Sequence, residues 1–225
     1  MTDVLWNKEM RQRCIKEQTI ENWHLNHNDM NSTPYKRNKD EQNLIKTCLN
    51  SIKNNVNIIS ICSGQARDIL PILAGKKDNN KINTYLIDTD LECLEYADNY
   101  AKENKIPNVH LINKNAGLRE TYNDIPQADI IIICGVFGHL SLLDIKSTIS
   151  FIKHLLNENG FVIWSRHKFD NDISEDIKNI FKELNFNELA FVSPEDEPYT
   201  LGLHVVDGKT DIFNYIEYEY PLDLS

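Results

Sequence analysis

The sequence predicts an α/β fold: a mostly parallel sheet with helices over both faces. Three observations predict it. Strand-like and helix-like segments alternate from about residue 56 to residue 184, the pattern of a parallel sheet with covering helices. One of those segments, ADIIIIC at 128–134, is apolar without alternation, as a strand buried on both faces must be. The chain has 225 residues and 41 % of them are apolar, enough for one large α/β domain with a real core.

Each element follows in order. Residues 1–30 have an irregular helical pattern, with Val4, Leu5, Ile15, Ile20 and Leu25 sparse among polar groups. Residues 24–40, HLNHNDMNSTPYKRNKD, almost lack aliphatic anchors and read as a surface linker or a functional lid around a Ser-Thr-Pro turn. A helix is predicted over about 40–53, where Leu44, Ile45, Cys48, Leu49 and Ile52 fall at helical spacing. Strands are predicted near 56–62, 83–88, 108–112, 128–134 and 160–165, and helices near 66–75, 90–104, 144–157 and 173–184. The last forty residues change character: NELAFVSP, TLGLHVV and FNYIEYEY resemble further strands, with EDEP as a loop. The simplest parse is an N-terminal helical extension over 1–53, with a lid as one reading of it, and one domain over 54–225.

Charge and cysteines narrow the function. A formal net charge of −10, from 34 acids and 24 bases, argues against broad contact with nucleic-acid phosphates, though not against a local basic site. The five cysteines, at 14, 48, 62, 93 and 134, include no C-x-x-C pair and read as reduced thiols of a cytoplasmic protein. The N-terminus shows no signal-peptide apolar region, and no apolar run approaches the ~20 residues of a membrane span. G-x-S-x-G, H-E-x-x-H and G-x-x-x-x-G-K are all absent. No metal site is expected, because Asp144 alone does not make a carboxylate trio.

The chemistry gathers at strand ends, where open α/β sheets bind ligands. The first strand runs into SGQAR. Gly64 permits a left-handed conformation and close approach by a ligand, and the following helix start suits a carboxylate; the plain alternative is a turn. The second strand ends in Asp88, 24 residues after Gly64, where a carboxylate can accept from both hydroxyls of a ribose. Asp88 or Asp90 can instead cap the next helix. The third strand ends at Asn115-Ala116-Gly117 and the fourth at CGVFGH.

These motifs, over about 56–165, resemble the class I S-adenosylmethionine-dependent methyltransferases. That family opens on an acid followed by G-x-G-x-G. Here the stretch reads SICSGQA, with Ser60 in place of the acid, Cys62 and Ala66 in place of the outer glycines, and Gly64 as the central one. The family's second-strand acid matches Asp88, its Asp-Ala after strand three matches Asn115-Ala116, and its fourth motif matches CGVFGH. Some members carry an Arg-Asp pair like Arg67-Asp68. What makes up for the missing acid stays open. The resemblance implies a seven-stranded sheet with its last strand antiparallel, and S-adenosylmethionine as cofactor. It implies cofactor contacts from Ser63, Gly64, Gln65, Arg67 and Asp68, from Asp88 and Thr89, and from Asn115 and Ala116. It also implies cofactor contacts from Cys134 and Gly135, and from Phe137, which would flank the methionine arm or else be a core aromatic. The competing nicotinamide-dehydrogenase reading lacks its G-x-G-x-x-G loop.

Catalytic candidates must lie near the ends of strands four and five. His139 is the first choice for a general base and His167 the second; either can instead be a plain loop residue. Arg166 is placed to hold an anionic group. His204 alternates with apolar residues and reads as a strand histidine. If residues 23–37 form a lid, Trp23, His24 and His27 face the acceptor and Tyr35 and Arg37 face the cofactor. Tyr215, Tyr218 and Tyr220 read as an edge strand or a homodimer contact. The expected function is methyl transfer to a small molecule, with no nucleic-acid or membrane partner. A non-catalytic cofactor-binding protein and a protein methyltransferase are the alternatives.

Overall fold

The computed structural model describes residues 27–168 and 172–206. Seven strands form one sheet in the order β3-β2-β1-β4-β5-β7-β6. They are β1 (Val56–Ile61), β2 (Ile82–Asp88), β3 (Val109–Asn113), β4 (Ala128–Ile133), β5 (Leu156–His167), β6 (Phe186–Val192) and β7 (Tyr199–Val206). The helices are α1 (Thr33–Ser51), α2 (Leu70–Ala74), α3 (Leu91–Glu103), α4 (Leu142–Leu155) and α5 (Ser174–Glu183). The first five strands pair in parallel. β7 slots between β5 and β6, antiparallel to both. The expected mostly parallel seven-stranded sheet with an antiparallel last strand is therefore present.

β4 shows why alternation failed to appear in the sequence. Ile130 and Ile132 pack into one core layer, beside Leu44, Ile45 and Leu94 of α1 and α3. Ile131 and Ile133 pack into the other, beside Ile149, Trp164 and Phe181 on the α4–α5 side. Both faces of the strand are dry, and each fully buried Ile contributes roughly 1.5–3 kcal/mol.

Several boundaries differ from the sequence reading, each for a local reason. α1 begins at Thr33 rather than near 40, because Ser32 caps it by accepting from the Tyr35 N–H at 3.2 Å and Pro34 sits in its first turn. Its first turns need no aliphatic face: Thr33 Oγ1 donates to Glu197, Lys36 pairs with Glu197, and Asp40 accepts from Tyr199 Oη at 2.7 Å. The Ser-Thr-Pro turn is thus a helix start, and α1 lies against β5 and β7. α2 has five residues instead of ten, because Ala66 takes φ +52° and delays the helix. β5 starts at Leu156, ahead of a register shift opposite Ala128 and Ile130. Asp90 caps α3 by accepting from the Cys93 N–H.

His204 lies in the sheet as a buried strand histidine. Its Nδ1 accepts from Trp164 Nε1 at 3.2 Å and its ring stacks on Phe181 at 4.1 Å. Burial, helped by Lys178, pulls its pKa down to about 3, so it is neutral and its 3.9 Å approach to Glu188 is no ion pair. Among the described residues no helix is long and apolar enough to cross a membrane. Trp23, His24, the tyrosines at 215, 218 and 220, and the FNYIEYEY strand lie outside the described residues.

Candidate active site

The site is built at the carboxyl ends of β1, β2, β4 and β5, with α1 tied across them. The loop after β1 has a repeated conformation. Cys62, Gly64 and Ala66 all take positive φ, at +53°, +51° and +52°. These are the three positions of the family's glycines, so the loop keeps a glycine backbone with glycine at only one of them. A left-handed non-glycine residue costs roughly 1–2 kcal/mol. At Ala66, which is buried, removing the methyl group costs about 0.8 kcal/mol in turn. Glycine's extra freedom in the unfolded chain costs about 0.4–1 kcal/mol more, so Ala66→Gly is expected to stay within about 1 kcal/mol of wild type, whereas Ala66→Val loses about 2 kcal/mol or more through strain and overpacking. Urea unfolding of both variants checks this, and a Val variant as stable as wild type would refute it.

Asp88 fastens this loop to the end of β2. Its Oδ2 accepts from the Gly64 N–H at 2.7 Å and its Oδ1 from the Asp90 N–H at 2.9 Å. Burial pushes its pKa up against the pull of those bonds. Asn113 Nδ2 donates to the carbonyls of Asp88 and Thr89 and steadies the strand end. On the next loop, Asn115 Oδ1 accepts from the Gly117 N–H at 2.8 Å, and the buried Ala116 gives its carbonyl to Tyr122 Oη.

Arg67 and Asp68 part company. Arg67 turns outward: Nε donates to Gln65 Oε1, Nη1 donates to Asn28 Oδ1, and the guanidinium covers the Tyr96 ring. Asp68 turns inward and is buried. There it meets Glu41 of α1, which the sequence reading missed, as it missed Glu41's partner Ser165 of β5. Ser165 Oγ donates to Glu41 Oε1 at 2.7 Å and accepts from the Gly135 N–H at 2.9 Å. Arg37 Nε stands 3.2 Å from Glu41 Oε1, and an arm of its guanidinium crosses Gly135. Gln42 Nε2 donates to the Arg67 carbonyl and pins α1 to the loop. Burial first, and Glu41 second, push the Asp68 pKa up to about 7. Burial and the same carboxylates hold the Cys134 thiol protonated. One signal pointed to Glu41: it occupies the same helical stripe as Leu44, Ile45, Cys48 and Leu49, where a charge is out of place.

The other candidates separate. Phe137 is fully buried in the core, its ring 5.9 Å from that of Trp164, which is the core-aromatic alternative. The expected helix start beside Gly64 is not there, because α2 begins only at Leu70. His139 and His167 come together, with ring centroids 6.2 Å apart and edge to face. Gly138 makes room for this: a Cβ there would lie 3.0 Å from His167 Nε2. Arg166 is buried, and its Nη1 donates to the His167 carbonyl at 3.1 Å. Tyr35 lies in the first turn of α1 with Lys39 over its ring, and His27 is half-buried ahead of that helix.

Comparison with known proteins bears on the family and the fold. A family described as a methyltransferase domain matches residues 52–217. No curated protein matches. Among solved structures, the chain is similar to magnesium protoporphyrin IX methyltransferase from Synechocystis with bound S-adenosylmethionine, at 13 % identity over 88 % of this chain and 95 % of that one, with a TM-score of 0.64. It is similar to an S-adenosylmethionine-dependent methyltransferase from Clostridium acetobutylicum, at 14 % identity over 76 % and 92 %, TM-score 0.59. It is also similar to an rRNA methylase from Streptococcus thermophilus, at 15 % identity over 72 % and 92 %, TM-score 0.53. The structural likenesses speak for the fold, and the family match takes in every strand of the sheet: the chain belongs to the class I S-adenosylmethionine-dependent methyltransferases.

Proposed function

We propose that the chain methylates a small molecule, with S-adenosylmethionine held over the ends of β1 to β3 and the acceptor met at the ends of β4 and β5. The observation that carries this reading is the convergence of His139 and His167 on the sheet end that also holds the Gly64–Asp88 contact. The residues there fit the cofactor: Ser63 Oγ is buried with no hydrogen-bond partner among the described residues, and the left-handed loop leaves open space around Gly64. Bound there, the cofactor supplies a methyl group already activated by its sulfonium charge. The chain must then bind, align and exclude water.

Asp88 takes the ribose hydroxyls, since each of its oxygens has accepted one N–H and keeps a further lone pair. Asn115 spends its side-chain oxygen on Gly117, so that loop offers its backbone and the rest of its amide. Tyr35 and Arg37 present α1 to the cofactor side, and His27 serves the acceptor side. His139 takes the proton that the acceptor loses. Arg166 positions His167 through its carbonyl. The small-molecule choice is supported by the charge of −10, which repels polyanions, and by the many ties that hold α1 over the sheet end.

Calorimetric titration is the test. S-adenosylmethionine and S-adenosylhomocysteine are expected to bind with micromolar affinity, weakened tenfold or more by Asp88→Ala, about 1.4 kcal/mol. Isotope from the labelled methyl group should then enter the small-molecule fraction of a metabolite extract. Label entering only protein or RNA would overturn the acceptor class, and no heat from either ligand would overturn the cofactor role.

A further inference from the structure

Glu41 and Asp68 are two carboxylates buried together in the cleft between α1 and the sheet. They are 3 % and 8 % exposed. One oxygen of each, and the Sγ of Cys134, lie within 4.8 Å of one another. Glu41 Oε1 accepts from Ser165 and has Arg37 Nε 3.2 Å away as an ion pair without hydrogen-bond geometry. Asp68 Oδ1 is different: it is buried with no hydrogen-bond partner among the described residues. A carboxylate oxygen hidden from water without a donor is strongly unfavourable. The amides of Asp68 and Ile69 lie close enough to pull its pKa down, but neither makes a hydrogen bond to Oδ1, and the other groups facing it do not remedy this. Arg67, its sequence neighbour, is turned away to Asn28 and Tyr96. Arg37 pairs with Glu41 and only lowers the Asp68 pKa from a distance, and the Cys134 thiol is a weak donor. With both carboxylates ionised, the cleft holds more negative charge and more acceptors than the one guanidinium among its described residues can match. A compact cation bearing several N–H donors would complete it.

We infer that Glu41 and Asp68 form a clamp for the α-ammonium group of the cofactor's methionine portion, with Glu41, from the helix that precedes the sheet, supplying the carboxylate absent at Ser60. This rests on the methyltransferase reading and deepens it. Ser60 is itself buried within β1 and points no charge into the cleft. The clamp makes α1 part of the binding site. The helix reaches it because Gln42 is bonded to the loop carbonyl of Arg67 and Glu41 to Ser165. A primary ammonium fits better than a metal ion here, since it brings three donors to acceptors and needs no thiolate from Cys134.

Three nucleosides separate the outcomes. S-adenosylhomocysteine carries both ammonium and carboxylate, its decarboxylated analogue carries the ammonium alone, and 5′-methylthioadenosine carries neither. Titrated into the full chain, Glu41→Gln and Asp68→Asn should each weaken the first two by about tenfold or more and leave methylthioadenosine within about twofold of wild type. Unchanged methylthioadenosine binding also shows that the variants are folded. The inference is overturned if all three ligands weaken in parallel, or if neither substitution affects the first two. It is likewise overturned if Zn²⁺ or Mn²⁺ alone raises the melting temperature of wild type but not of Asp68→Asn while S-adenosylhomocysteine affinity is the same in both. A wild-type chain that binds none of the nucleosides fails the cofactor reading itself, and the clamp with it.

Discussion

Alanine at His139 lowers turnover about 100-fold while S-adenosylhomocysteine binds as tightly as before, as expected for the loss of a positioned general base. Its ring stands edge to face with that of His167 at the ends of β4 and β5, whereas the Gly64–Asp88 contact proposed for the cofactor joins the ends of β1 and β2. Chemistry and cofactor affinity should therefore separate. Gly138→Ala supplies an independent route to the same end, because the new methyl group would come within 3.0 Å of His167 Nε2 and displace that ring without removing either imidazole. Steady-state kinetics on an acceptor found by label transfer, beside calorimetry on each variant, decide the matter. Equal turnover in wild type, His139→Ala and His167→Ala would leave both histidines with no part in the reaction. A parallel fall in cofactor affinity would make their role structural.

Gly202→Ala should be the most damaging single methyl group in the sheet. A Cβ at Gly202 would lie 2.3 Å from Trp164 Nε1 and 2.4 Å from its Cε2, far inside van der Waals contact. Trp164 has nowhere to go. It is fully buried among Phe137, Phe181 and Phe191, and its Nε1 donates to His204. Moving the indole breaks that buried hydrogen bond, and moving the backbone opens the β5–β7 ladder, in which Trp164 and Gly202 are direct partners. Overpacking and the lost bond together should cost about 3 kcal/mol or more. For a chain of this size that lowers the melting temperature by roughly 6–12 °C. Trp164→Phe, a smaller ring without the indole nitrogen, should recover part of the loss in the double variant. Thermal unfolding is the readout, and a Gly202→Ala protein melting with wild type would refute the argument.

The fold was legible because its parallel core is written in continuous apolar runs. Ile130 to Ile133 could belong only to a strand covered twice, and strand ends followed from where such runs stop. What stayed hidden depended on polar contacts between distant residues. The start of α1 carries no aliphatic face, because Thr33, Lys36 and Asp40 are satisfied by Glu197 and Tyr199, more than 150 positions away. Arg67 and Asp68 look like one motif in sequence, yet adjacent side chains in an irregular loop point to opposite sides, one to Tyr96 and one to Glu41. Glu41 was visible only as a charge on an apolar stripe, a sign easily taken for noise. The positive φ values of Cys62 and Ala66 could not be read from residue types that rarely adopt them.

The place of β7 bears on how the chain is made. The ribosome delivers β6 before β7, yet β6 bonds only to β7 among the strands of the sheet, and β5 meets β7 on that side. Until β7 emerges, nascent β6 has no ladder to join and β5 displays an open edge rich in Phe161, Ile163 and Trp164. That edge is the kind of surface on which unfinished chains cluster. The final strand thus works as a closing key: its arrival converts a five-stranded parallel sheet with a raw side into a finished one, and translation must run nearly to the end of the described chain before that side is safe.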